Sequence, residues 1–243
     1  MDLDLNPFLK GLLWMTAFIA QASVHEAAHA WSAWKLGDGT AKYQGRLTLN
    51  PLAHIDLLGT IVLPLIAIIM NIPLIGWAKP VPVYPLHFRH PYRDMMLVAL
   101  AGPFSNLILA AASILLLKGL DLVTHELVMR SLFAIGGDPL LSKELSLWDS
   151  WVLIISYWLV LSVITNVLLA AFNLIPIPPL DGSRVLSYFL PDAGKDFMHR
   201  LEPFGFLIVL GLLWINVLDR LVLIPVLSKA LELLVIVLIG RSF

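Results

Sequence analysis

The chain has 243 residues and a net charge of −1; 59% are hydrophobic and 14% charged, against about 45–50% and about 25% in an average soluble domain. So few charged groups cannot cover the molecule with a polar surface, which makes lipid the expected solvent, and the lack of a basic or acidic block argues against a nucleic-acid partner. There is no cysteine, which excludes disulfides and Cys-ligated zinc or iron–sulfur sites and leaves His and carboxylates as possible metal ligands.

Residues 1–10 lack the positive stretch of a cleavable signal, and the apolar run after them carries a candidate site, so removal of this end is not expected. A spanning helix needs about 20 mostly apolar residues. Residues 8–34, 57–75, 95–117 and 151–174 approach that length. Residues 204–239 would make nearly two passes, broken at Asp219-Arg220 and Pro225. The expected fold is an all-α polytopic membrane protein of five or six segments, with short re-entrant or extended β elements. Residues 42–49 (KYQGRLTL) read as a short hairpin around Gly45. Residues 76–91 hold four prolines and should be extended. Residues 121–135 mix charges into an apolar pattern and read as lying on the membrane surface. One membrane-embedded domain, 1–243, accounts for the whole chain.

His25-Glu26-Ala27-Ala28-His29 fits the H-E-x-x-H pattern. On a helix, i and i+4 share a face, so both imidazoles can bind one Zn²⁺ while the Glu serves as general base. Here the motif lies in an apolar helix, where ionisable groups are costly and usually mark a functional interior. Catalytic zinc generally has three protein ligands, and the third candidate is Asp181. It follows Pro176, Pro178 and Pro179, which end the fourth apolar segment. Backbone freed in this way is tolerated at membrane depth only where it is buried or lines a wet cavity. The plainer alternative is an exit loop with Asp in a turn.

Three elements together resemble the site-2 protease family of intramembrane metalloproteases. They are HEAAH, Ala101-Gly102-Pro103-Phe104-Ser105-Asn106, and the run from Asn173 through Pro176, Pro178 and Leu180 to Asp181-Gly182. They occur in the family's order. The resemblance implies His25, His29 and Asp181 as ligands of one zinc per chain and Glu26 as the base. It also implies a catalytic core of about 8–182, C-terminal helices at about 204–240, and substrates that are single-pass or already trimmed membrane proteins in a lipid bilayer. Asn106 and Asn173 would hold substrate backbone or the oxyanion, or else bond between helices. A multi-pass protein of a prokaryotic plasma membrane is expected. The alternative is a membrane metal transporter, which has no need of Glu26. Against the family pattern, there is no room for a PDZ or CBS domain, and segment 57–75 is additional.

That extra segment matters for topology. His25, His29 and Asp181 reach one depth most simply if the helices carrying them run in the same direction, which requires an odd number of crossings between them. Segment 57–75, with Pro64, Asn71 and Pro73, is expected not to cross but to form a re-entrant unit with residues 78–84. That extended stretch is also a candidate edge for receiving unwound substrate by strand addition. The remaining histidines, His54, His87, His90, His125 and His199, read as surface or interfacial.

Overall fold

The computed structural model describes residues 7–70, 76–136 and 145–240. Helix α1 (Pro7–Leu36) begins on a proline, whose missing N–H costs nothing there. It ends where Gly37 adopts φ +116° and the Asp38 N–H reaches back to the Ala33 carbonyl. A single turn, α2 (Thr40–Tyr43), follows. Residues Leu57–Val62 form a wide π-helical turn that runs into α3 (Leu63–Met70). Helix α4 (Pro91–Phe133) starts on Pro91, and Asp94 caps it by accepting the His90 N–H at 3.0 Å. It breaks at Thr124, whose φ of −133° is not helical. Helix α5 (Leu147–Asn173) is capped by Ser146, which accepts the Asp149 N–H. Then come α6 (Asp181–Phe189), α7 (Asp192–Leu201), α8 (Gly205–Trp214) and α9 (Ile224–Ile239).

Three helices build the frame. On α1, Ala17, Ala22, Ala27, Ala30 and Ala33 are buried, and such small residues let helices approach closely in lipid. Leu153, Tyr157 and Leu161 of α5 pack on Ala17, while Leu117, Val128, Val160, Ile164 and Leu234 join α4, α5 and α9. The polar contacts give the directions. Thr16 meets Trp158 and Gln21 meets Ser162, so α1 and α5 run parallel. His25 meets Asn106 and His29 meets Val98, so α4 runs antiparallel to α1.

Residues 37–90 therefore leave and re-enter the frame at one end of α1. The buried Asp38 carboxylate accepts the Tyr84 N–H at 2.7 Å and pairs with His87 at 2.8 Å, tying the start of this excursion to its finish. Between those ends, Ile68 lies against Gly11. The helical stretch Leu57–Met70 is about 21 Å long, short of a bilayer core of about 30 Å. The two ends of the excursion meet, while residues 71–75 of segment 57–75, with Asn71 and Pro73, lie outside the described residues.

Other expectations need correcting. Every regular element among the described residues is helical. The hairpin at 42–49 is replaced by α2 and a turn at Gly45, because Asp38 accepts both the N–H and the hydroxyl of Thr40 and nucleates a helical turn. Residues 77–84 are extended but pair with no strand. Among the described residues, four helices are long and apolar enough to cross a membrane: Pro91–Phe133, Leu147–Asn173, Asp192–Trp214 and Asp219–Leu238. Helix α1 has the length, at 30 residues, but its Gln, Ser, His and Glu lower its hydropathy. Residues 121–133 are helical, and the kink at Thr124 sets residues 125–133 apart from the long helix before it. The C-terminal break falls at Asn216, in the left-handed region with φ 56°, where Asn is tolerated. Asp219-Arg220 opens the last long helix instead of interrupting it.

Candidate metal centre

His25 and His29 lie one turn apart on α1, with rings 4.6 Å apart and both side chains buried. Each Nδ1 faces an oxygen, which accepts: His25 is 2.5 Å from Asn106 Oδ1 and His29 is 2.7 Å from the Val98 carbonyl. Both ring protons are therefore spent on Nδ1, and both Nε2 atoms present bare lone pairs, 3.0 Å apart.

Asp181 meets them from the other side. Pro176, Pro178 and Pro179 end α5 and force tight turns, in which Ile177 bonds to Ile175 and Leu180 to Ile177. The chain doubles back so closely that a Cβ on Gly182 would overlap the Leu174 carbonyl. Asp181 then opens α6 with its Oδ2 3.2 Å from each histidine Nε2. That oxygen is buried and accepts no hydrogen bond.

Three lone-pair atoms thus converge within 4.8 Å of one another. A buried carboxylate facing two acceptor nitrogens is costly unless a cation lies among them. Two imidazoles and a carboxylate match the three-ligand sets of catalytic zinc, which leave one position open. Gly102 of α4 provides the space: a Cβ there would stand 2.5 Å from His29 Nε2 and 2.6 Å from His25 Cε1.

Glu26, half-buried, lies off the His25–His29 stripe and points toward residues 77–84, where its Oε2 accepts the Val81 N–H at 2.8 Å. Other groups hold the same stretch. Arg46 donates to the Lys79 carbonyl at 2.5 Å, Lys79 N–H bonds to the His54 carbonyl, and Trp77 N–H to that of Gly59. The donors at 77, 79, 81 and 84 are therefore already used, and Pro80 and Pro82 have none. A substrate strand added here would have the N–H groups of Ala78 and Val83 and the carbonyls that Arg46 does not take.

Asn106 is fully buried behind His25, with its Nδ2 donating to Asn166 Oδ1 at 2.7 Å, so both ends of its amide are engaged within the helix frame. Of the two roles left open for it by the sequence, these contacts are of the kind that bond between helices. Asn173 ends α5 half-buried, with its Nδ2 on the Leu169 carbonyl. Gln21, Ser162 and Asn166 went unread in the sequence. The signal was a polar stripe at i,i+4 spacing in apolar helices: Gln21, His25, His29 on α1, and Ser162, Asn166 on α5. His54 is buried rather than interfacial, with its Nε2 on the Thr48 carbonyl. His87 is partly exposed but pairs with Asp38, whereas His125 and His199 pair locally with Asp121 and Glu202.

Comparison with known proteins places these residues in context. The sequence profile of peptidase family M50 matches residues 69–215, a stretch that carries Asn106, Asn166, Asn173 and Asp181. The chain is 36% identical over 226 residues to "Putative zinc metalloprotease YwhC" of Bacillus subtilis (strain 168), covering 93% of this chain and 88% of that protein. A match of that length in a chain of 243 necessarily includes HEAAH as well as Asp181. It is 28% identical over 209 residues to "Putative zinc metalloprotease Rip2" of Mycolicibacterium smegmatis (strain ATCC 700084 / mc(2)155), covering 86% of this chain and 69% of that protein. No solved structure matches it.

Proposed function

Since the chain belongs to peptidase family M50 and is a zinc metalloprotease, we propose that it cleaves peptide bonds in or beside the transmembrane helices of other membrane proteins. His25, His29 and Asp181 hold the zinc, and Glu26 is the general base. The observation that carries this reading is the convergence of three bare ligand atoms in a buried crevice between apolar helices. Both bacterial relatives fit a multi-pass protein of a bacterial plasma membrane. A metal transporter, the alternative from sequence, gives no account of Glu26 or of relatives named as metalloproteases.

When bound, zinc supplies Lewis acidity that makes water nucleophilic at neutral pH and polarises a carbonyl. The protein does the rest. The Val81 N–H fixes one Glu26 oxygen, so the other faces the attacking water in a set orientation, takes its proton and returns it to the leaving nitrogen. The Nδ1 bonds to Asn106 and Val98 lock both imidazoles at the angle the metal needs. Helices α1, α4 and α5 exclude lipid from the crevice. A substrate helix must unwind to expose its peptide bond, which favours substrates with helix-breaking residues near the cleaved bond.

The test is Glu26→Gln. It should leave one zinc per chain and lower cleavage by about 10²–10⁴-fold, and membranes of cells carrying it should accumulate trimmed single-pass proteins. Wild-type cleavage by this variant would refute the assignment of the base. Cleavage sites confined to soluble loops would refute the intramembrane reading while leaving the protease intact.

A further inference from the structure

We propose that Asn166 is a positioning residue for zinc binding: it holds the Asn106 amide in the orientation that keeps the His25 proton on Nδ1 and its Nε2 lone pair toward the metal. This rests on the reading above, in which His25 is a ligand.

Asn166 is fully buried in α5. A polar side chain there is retained only with its bonds satisfied. Its Nδ2 lies 2.9 Å from the Ser162 carbonyl, which can only accept, so nitrogen must point there and Oδ1 must point away. That oxygen takes the Asn106 Nδ2 at 2.7 Å. The choice passes down the line: with its nitrogen held by Asn166, Asn106 offers Oδ1 to His25 at 2.5 Å. Gln21 and Ser113 hold the Ser162 hydroxyl at 2.8 and 2.9 Å and anchor the far end.

The two histidines differ in a way that makes this necessary. His29 Nδ1 faces a backbone carbonyl, which cannot turn into a donor. His25 faces an amide, which presents a donor when rotated half a turn. A rotated Asn106 would give N–H to Nδ1 and drive the His25 proton to Nε2, directly at His29 Nε2 and Asp181 Oδ2. Only His25 therefore requires a residue that selects the amide orientation; Asn166, at 2.7 Å, is the close acceptor for that nitrogen, and the Gln21 carbonyl, at 3.5 Å, is a longer and weaker second one. Ordinary interhelical bonding would tie the helices together without regard to which end of Asn106 faces the ring.

The test measures zinc affinity of the full-length protein in detergent by chelator competition, with ¹⁵N imidazole NMR of the zinc-free form reporting the His25 tautomer. Asn166→Leu should weaken zinc about tenfold, as loss of ligand-orienting partners does, and move His25 toward the Nε2–H form. Asn166→Asp should restore the wild-type affinity, since a neutral buried carboxyl still accepts from Asn106 and donates to Ser162. In an Asn106→Asp background, where no amide can rotate, Asn166→Leu should have no further effect on affinity; Asn166→Ala serves the same comparisons if the leucine variant does not fold. Unchanged affinity in Asn166→Leu, equal weakening in Asn166→Leu and Asn166→Asp, or an undiminished effect in the Asn106→Asp background would each overturn the proposal. His25→Ala separates the two levels. If it keeps zinc, the ligand reading itself fails; if it loses zinc while Asn166→Leu is normal, only the role of Asn166 does.

Discussion

Adding one methyl group at Gly102 tests the centre without touching any proposed ligand. Its Cβ would lie 2.5 Å from His29 Nε2 and 2.6 Å from both His25 Cε1 and His29 Cε1. Ordinary contacts between such atoms are about 3.5–4.0 Å, so each ring must retreat by about 1 Å. The rings are not free to do so, because short bonds to Asn106 and Val98 pin their far sides. Metal–ligand distances tolerate only about ±0.2 Å. Overpacking of this kind costs about 1–3 kcal/mol, and if that strain must be overcome to rebuild the ligand geometry, zinc affinity falls about 10- to 100-fold. The assay is zinc per chain after dialysis against graded chelator, with a thermal melt to confirm folding. Gly119→Ala is the control: it lies in the same helix with nothing within 4 Å of the new Cβ and should gain up to about 1 kcal/mol in helix propensity at unchanged zinc affinity. Wild-type zinc binding by Gly102→Ala would show that α4 does not approach the imidazoles as described.

Asp181→Asn should lower zinc affinity strongly, because a neutral amide is a poorer ligand than a carboxylate; full zinc occupancy in the same chelator titration would remove Asp181 from the ligand set. Burial alone would raise the Asp38 pKa, but hydrogen bonds from His87 and Thr40 and from the Tyr84 backbone outweigh it, so the folded value lies below the usual 3.8. The stabilisation is then complete above about pH 4 and is lost as pH falls through the folded value. Thermal melts should show acid sensitivity there that Asp38→Asn abolishes, at a cost on the order of 2 kcal/mol near neutrality; identical melting profiles for the two proteins would rule this clamp out. Single cysteines at Gln44 and Arg89, in a chain that has none, should label with an impermeant thiol reagent from one face of the membrane, and labelling from opposite faces would mean that segment 57–75 crosses.

What the sequence disclosed followed from local rules. The His25–His29 spacing is helical arithmetic, and Asp181 follows a proline-ended helix whose freed backbone needs a reason to exist at depth. The re-entrant reading of segment 57–75 rests on requiring His25, His29 and Asp181 to reach one level, and the cysteine labelling tests it. Features set by contact between elements were not legible. The β-favouring composition of residues 42–49 yields to Asp38, which caps Thr40 and is itself held by Tyr84 and His87, more than forty residues away. The roles of Gly102 and Asn166 depend on how α4 and α5 are set in register against α1. The Asp219-Arg220 pair looked like a helix breaker, yet the break lies at Asn216, where an amide side chain tolerates a left-handed backbone that charge pattern does not reveal.

The parallel run of α1 and α5, with Asp181 just beyond the latter, also constrains how the protein is made. His25 and His29 leave the ribosome about 150 residues ahead of Asp181, which at about 5–20 residues per second is an interval of roughly 8–30 s. During that time α1 and then α4 enter the membrane, so the imidazoles gain Asn106 and Val98 but still have no carboxylate opposite them. The proposed third ligand arrives only when α5 is in place and its proline turn has reversed the chain. On the proposed ligand set, a nascent chain is therefore inactive until synthesis has passed Asp181, and helices emerging beside it are safe from it until then.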